Sequence, residues 1–271
     1  MTARCFAGAA AAVILGLAIA SDAQAIGDCQ PSPDGGAFTV FLSKPSYSSV
    51  AFPNDADIET FLGLLQFELD RGLVESSDTP VRFVACTRRA PGLDDQAFVP
   101  TVVEDLYNGR VLVEIWGLLD APRSAAGAQT LSARVNYLLV PMKFASNRNE
   151  AAPAALQRLV YPEMKAAPTS SNFVQLIARP RDVDAFVAAA YGFKLKRELS
   201  NELAHLQLCR ASALLGTIEK RQLTPRSRAE IAALRKFVVE SARAAIEQGR
   251  AASESSGMWL QDPAKPCGGG P

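Results

Sequence analysis

A chain of 271 residues, 48% hydrophobic and 21% charged, has an ordinary globular composition and is long enough for one large domain or two small ones. Its 28 basic residues balance 28 acidic ones, which excludes the overall positive charge by which proteins hold nucleic acid or an anionic membrane face.

The chain opens with what reads as an export leader over residues 1–25. Arg4 supplies a positive start, Phe6 to Ala20 is an apolar run, and Ala23-Gln24-Ala25 is a small-x-small cleavage pattern. The run is about 15 residues, short of the roughly 20 that span a bilayer as a helix. Cleavage is expected near Ile26, leaving no membrane span and a protein that works in the bacterial periplasm or outside the cell; a retained anchor is the rival reading. The leader takes one base, Arg4, and one acid, Asp22, so the charge balance is unchanged.

Four cysteines remain after the leader: Cys29, Cys86, Cys209 and Cys267. An even number in an exported chain predicts disulfides, with three possible connectivities. The pairing chosen is Cys29–Cys86, which pins the new N-terminus to a strand, and Cys209–Cys267, which straps the tail to a helix. Metal binding is set aside, because no Cys-x-x-Cys pair exists and a single histidine is present. Lipidation of Cys29 is set aside as well, since Asp28 breaks the small-residue pattern that precedes a lipidated cysteine.

Phe38 to Ser43 is a β-branched and aromatic run between Gly35-Gly36 and Pro45, and predicts a strand. Ile58, Phe61, Leu62, Leu65, Leu69 and Leu73 recur at spacings of three and four, which predicts an amphipathic helix ending near Gly72. The preceding acids Asp55, Asp57 and Glu59 are read as helix-capping rather than as a calcium loop, which would need a glycine turn and a distal glutamate. Val81 to Cys86 predicts a second strand. Asn108-Gly109 predicts a type I′ hairpin turn between Thr101–Val103 and Arg110–Trp116, although Thr101 with Glu104 also fits a helical capping box. Ala133 to Met142 predicts a further strand, antiparallel to 110–119. The fold class expected is therefore α+β: a mixed sheet with a packed helix, in the order β-α-β-β-β-β over residues 26–145, followed by a small helical unit.

Residues 146–172, with Pro153, Pro162 and Pro168, are expected to form a linker holding one short helix around Leu156, Leu159, Val160 and Tyr161. Residues 173–250 are expected to be a helical hairpin or three-helix unit. One apolar stripe runs through Val183, Phe186, Val187 and Ala190, and continues past Gly192 through Leu195, Leu199, Leu203, Leu206 and Leu214. Thr224-Pro225 is an N-cap followed by a first-turn proline. Ile231, Leu234, Phe237, Val238, Ala242 and Ala245 define the last helix, ending near Gly249. The tail, 251–271, is rich in Ser, Gly and Pro and is expected to be loose apart from Cys267.

No catalytic residue is assigned. The lone His205 is expected to be a satisfied or surface residue of a helix, and there is neither a Gly-x-Ser-x-Gly elbow nor a Ser-x-x-Lys pair. Glu68, Asp70, Glu104 and Asp105 are candidate paired carboxylates, but acids of this kind are expected on solvated faces of any domain. No phosphate-binding loop is present and no cofactor is implied. The basic groups Arg82, Arg88 and Arg89, and Lys194, Lys196 and Arg197, are read as solvated faces or helix-end charges. Trp116 is expected in the core. Trp259, with Met258 and Leu260, either docks the tail onto the helices or, if exposed, marks a partner surface.

The helix Phe61-Leu62-Gly63-Leu64-Leu65 through Leu73, the strand Val81-Arg82-Phe83-Val84 and the segment Asn108-Gly109-Arg110-Val111 through Leu118-Leu119-Asp120 to Ala133-Arg134-Val135-Asn136-Tyr137-Leu138 carry a resemblance. Residues 38–142 resemble the mixed α/β domain of bacterial envelope assembly proteins: the curli-secretion lipoprotein, flagellar outer-membrane lipoproteins and the amino-terminal domain of the Tol propeller protein. The lipid-attachment cysteine of many members has no counterpart motif before Cys29. The resemblance implies binding and assembly rather than catalysis, and it implies no catalytic residues.

These readings favour an exported, non-catalytic protein that binds an envelope partner or aids envelope assembly. An envelope glycan or peptide hydrolase using paired carboxylates is the first alternative. The second is a small-molecule binder with a pocket between sheet and helices.

Overall fold

The computed structural model describes residues 38–47, 55–76, 79–89, 111–120, 132–139, 155–160, 179–221, 223–256 and 267. It is a mixed α+β structure. In chain order the elements are β1 (Phe38–Lys44), β2 (Ser46–Tyr47), α1 (Asp55–Ser76), β3 (Val81–Arg89), β4 (Val111–Asp120), β5 (Ser132–Leu139), β6 (Ala155–Val160), α2 (Pro180–Arg197), α3 (Asn201–Glu219) and α4 (Pro225–Ser256). The Asn108-Gly109 turn and the strand expected before it lie outside the described residues.

β1 pairs in parallel with β3 on one side and β4 on the other, with Val40 opposite Phe83 and Val113. β1, α1 and β3 thus make a βαβ unit, since neighbouring parallel strands need a crossover. β4 continues antiparallel to β5, and β5 antiparallel to β6. Residues Ala155–Val160, where the proline pattern predicts a short helix within a linker, are therefore a strand in the structure. Leu156, Leu159 and Val160 suit either conformation, and pairing with β5 between Pro153 and Pro162 decides it.

α1 forms where the periodicity places it. Ile58, Phe61, Leu62, Leu65, Leu69 and Leu73 are all buried. Each such side chain contributes about 1.5–3 kcal/mol on burial, against propensity differences of a few tenths per residue, so packing rather than propensity holds this helix. Its polar side chains also reach β3. Asp70 Oδ1 accepts a hydrogen bond from the Phe83 amide at 3.3 Å, and Gln66 Oε1 accepts one from the Ala85 amide at 3.2 Å.

The three later helices pack on each other and on the sheet. Tyr137 of β5 stacks on Phe186 of α2, with ring centroids 4.1 Å apart. Phe193 of α2 meets Phe237 of α4 at 5.5 Å. One continuous cluster of buried side chains runs from Val40, Leu42 and Val113 of the sheet through α1 and α2 to Leu208 and Leu215 of α3 and Ile231 and Val238 of α4. Two buried acids early in α2 are tied to the next helix region, Asp184 to Arg210 and Asp182 to Arg221. At α4, Thr224 Oγ1 accepts from the Ser227 amide at 3.2 Å, the N-cap geometry that Thr224-Pro225 predicts. α4 then runs past Gly249, which is buried, through residue 256. A single interior glycine costs about 1 kcal/mol, too little to stop a helix packed along its length.

The apolar stripe does not pass unbroken from α2 into α3. α2 ends at Arg197, and Leu199 sits in the left-handed region at φ 61°. The Ser200 amide bonds back to the Leu195 carbonyl at 2.9 Å, closing the end of α2. This turn resets the helical phase. The face α3 buries is Ala204, Leu208, Ala211, Ser212, Leu215 and Ile218, while Leu199, Leu203 and Leu206 are exposed. A Cβ on Gly192 of α2 would lie 2.6 Å from Leu208 Cγ, so the two helices approach closely at that glycine.

Candidate functional site

The outer side of α3 carries two features side by side. Leu199, Leu203 and Leu206, at spacings of four and three, are 77, 54 and 49% exposed. The phase change at Leu199 is what turns them outward. One turn further along, Cys209 is bonded to Cys267, one of the two pairings the cysteines predict. Cys29 lies outside the described residues. Cys86 is in β3, and its pairing with Cys29 falls outside as well. Met258, Trp259 and Leu260 also lie outside the described residues.

His205 stands one helical turn before Cys209. Its Nδ1 is 3.1 Å from the Ala242 carbonyl of α4, and its Nε2 is 3.5 Å from Cys209 Sγ. A carbonyl can only accept, so the proton of the neutral imidazole sits on Nδ1 and Nε2 carries the lone pair. The expected satisfied helix histidine is thus half-buried and faces sulfur. The sequence signal for it is the four-residue spacing His205-Leu206-Gln207-Leu208-Cys209, which sets His205 and Cys209 on one face.

Glu68 and Asp70 have structural partners. Glu68 meets Arg71 at 3.6 Å on α1. Asp70 accepts from the Phe83 amide, and burial pushes its carboxyl above the ordinary range, against the opposing pull of that amide and of Arg82. Glu104 and Asp105 lie outside the described residues. Of the basic groups, Lys194 pairs with Glu198 at 2.6 Å and lies over the Phe38 ring, 5.5 Å from its centroid. Lys196, read as a solvated-face or helix-end charge, lies in the last turn of α2 and is buried; desolvation pushes its ammonium below the ordinary lysine value, with Glu247 acting the other way. Arg82 is exposed on β3, and Arg88 and Arg89 close the same strand.

An acid that patterning passes over is Glu114 of β4. It is fully buried and accepts a hydrogen bond from the Ser43 hydroxyl of β1. Strand alternation sets Thr39, Phe41 and Ser43 on the face away from Val40 and Leu42, and all three are buried too. Trp116, expected in the core, is buried two residues along from Glu114. The visible signal was a single charge within the apolar run Val111–Trp116.

No helix among the described residues is long and apolar enough to cross a membrane. The chain matches no protein-family model and no curated protein sequence.

Proposed function

We propose that this is an exported, non-catalytic protein that binds a partner of the bacterial envelope through the outer side of α3. The observation that carries the reading is the pair Leu203 and Leu206, held outward on α3, with Leu199 exposed in the turn just before it, on a helix whose other side is packed against α2 and α4. An apolar row on a rigid helix suits burial against an apolar helix or strand of a partner. The leader pattern of residues 1–25 and the bond between Cys209 and Cys267 support work in an oxidising compartment outside the cytosol.

The order β-α-β-β-β-β over 26–145, followed by helices, belongs to the same reading. So does the likeness of 38–142 to the α/β domains of envelope assembly proteins, which supports it by analogy alone. Partner binding is favoured over paired carboxylates because Glu68 and Asp70 are engaged with Arg71 and the Phe83 amide. It is favoured over a sheet–helix pocket because Tyr137 stacks on Phe186 at that junction.

The test is a photo-crosslinking residue placed at Leu203, compared with one at Ala233, exposed on α4. A defined adduct in the envelope from position 203, absent from position 233 and abolished by Leu206→Glu, supports the reading. Equal labelling from both positions overturns it. Mature protein recovered from the cytoplasm with residues 1–25 attached overturns the export part separately.

A further inference from the structure

We propose that His205, Cys209 and Cys267 form a zinc site when the bond between the two cysteines is reduced. The donor atoms of the three residues already lie within 4.8 Å of one another. Tetrahedral zinc, with Zn–S about 2.3 Å and Zn–N about 2.05 Å, sets sulfur and nitrogen ligands about 3.6 Å apart. His205 Nε2 and Cys209 Sγ are 3.5 Å apart, and because Sγ is also 3.8 Å from Nδ1 the thiol must turn about its Cα–Cβ bond, once released from Cys267, to share a metal with Nε2. Two thiolates on one zinc are separated by about 3.8 Å, which the pair reaches once the sulfur–sulfur bond is broken.

The histidine is oriented as a ligand. Its Nδ1–H points to the Ala242 carbonyl at 3.1 Å, which fixes the ring and leaves Nε2 as the nitrogen with a lone pair, while Cys209 Sγ lies 3.5 Å from Nε2 and 3.8 Å from Nδ1, beside the ring. A ring held from behind by a backbone carbonyl is the usual support of a metal-binding imidazole. His205 and Cys209 sit on a helix packed on both neighbours, while Cys267 lies outside the helices.

The chemistry balances with a dithiol as reductant. The dithiol is oxidised to its own disulfide and delivers two electrons and two protons, the Cys209–Cys267 bond breaks, and two thiols form. Zn2+ then displaces both thiol protons, and the thiolates and the neutral imidazole make three protein ligands with water as the fourth. A small-molecule disulfide reverses the sequence by thiol–disulfide exchange: it takes two electrons and two protons to become two thiols, the Cys209–Cys267 bond re-forms and Zn2+ is released, so the same two sulfurs hold either each other or zinc.

The experiment uses the full chain, reduced with a dithiol or left oxidised, loaded with Zn2+, freed of unbound metal and analysed for metal and free thiols. The expected result is about one Zn2+ per reduced chain and none on the oxidised chain. Cys209→Ser, Cys267→Ser and His205→Gln each weaken zinc binding at least about tenfold, whereas Cys86→Ser leaves it unchanged. Cys267 lies outside the helices but packs against the core, so circular dichroism of each reduced variant separates ligand loss from misfolding. Co2+ in place of zinc gives a thiolate charge-transfer band that Cys209→Ser abolishes. A reduced, folded wild-type chain that takes up no zinc overturns the proposal, as does full retention of zinc by Cys209→Ser or Cys267→Ser.

Discussion

α1 and α3 are both leucine-rich helices, and they turn those leucines in opposite directions. α1 lies on the sheet and fills the space beneath it with large side chains, Phe61, Leu62, Leu65 and Leu69. α3 lies between two other helices, and its buried face mixes Ala204, Ala211, Ser212 and Gly216 with Leu208, Leu215 and Ile218. Helices whose contact is built partly from small residues approach closely, as the Gly192–Leu208 contact shows, and need fewer bulky residues between them. The contrast teaches that helix–helix packing of this kind leaves leucines for the outside, whereas sheet-packed α1 buries its leucine stripe and exposes one large apolar side chain, Phe67.

The largest effect that tests this contrast is in α1. Leu69→Ala is expected to destabilise the protein by about 2–5 kcal/mol, since the site is fully enclosed. Leu203→Ala in α3 is expected to stay within about 0.5 kcal/mol. Chemical denaturation of both variants decides the matter, and equal losses would show that the outer leucines are core after all. Next comes close packing: Gly192→Ala should cost about 1–3 kcal/mol, because its new methyl meets Leu208. Smaller, and of opposite sign, is Leu199→Gly. A non-glycine residue in the left-handed region costs about 1–2 kcal/mol, and Leu199 is largely exposed, so the glycine variant should melt at a higher temperature.

The smallest effect is a pH slope at Asp70. Its carboxyl titrates above 3.8 in the folded protein, so the folded state holds the proton more tightly than the unfolded chain. Stability from this group is therefore complete below the ordinary carboxylate value and is lost as pH rises through the raised folded value. Asp70→Asn keeps an oxygen for the Phe83 amide and removes the charge. Its stability relative to wild type should rise as pH increases from about 4. A difference that is flat with pH would show that Asp70 is not desolvated.

Some of this was legible from residues alone. The stripe from Ile58 to Leu73 had one helical interpretation, because the three- and four-residue spacing runs unbroken past Gly63 as far as Gly72. Thr224-Pro225 marked the start of α4 through local chemistry that tertiary context does not alter. α3 was different: Leu199, Leu203 and Leu206 form as good a stripe as Ala204, Leu208, Ala211 and Leu215. Counting large apolar residues selects the wrong one, because the choice is made by a backbone reversal at a leucine, where glycine would have announced it. β6 escaped notice because strand and helix look alike over six residues. The Glu114 site and the bond that orients His205 depend on partners far along the chain, Ser43 and Ala242, which spacing along one segment does not reveal.

The hydrogen bonds from the Phe83 and Ala85 amides to Asp70 and Gln66 have a consequence for how the molecule behaves in a crowd. β3 is the terminal strand on its side of the sheet among the described residues, and a bare strand rim invites pairing with a neighbouring chain. Here two rim donors are already occupied by side chains of the helix that precedes the strand. That margin is blunted against amyloid-like stacking and domain exchange from the moment α1 docks.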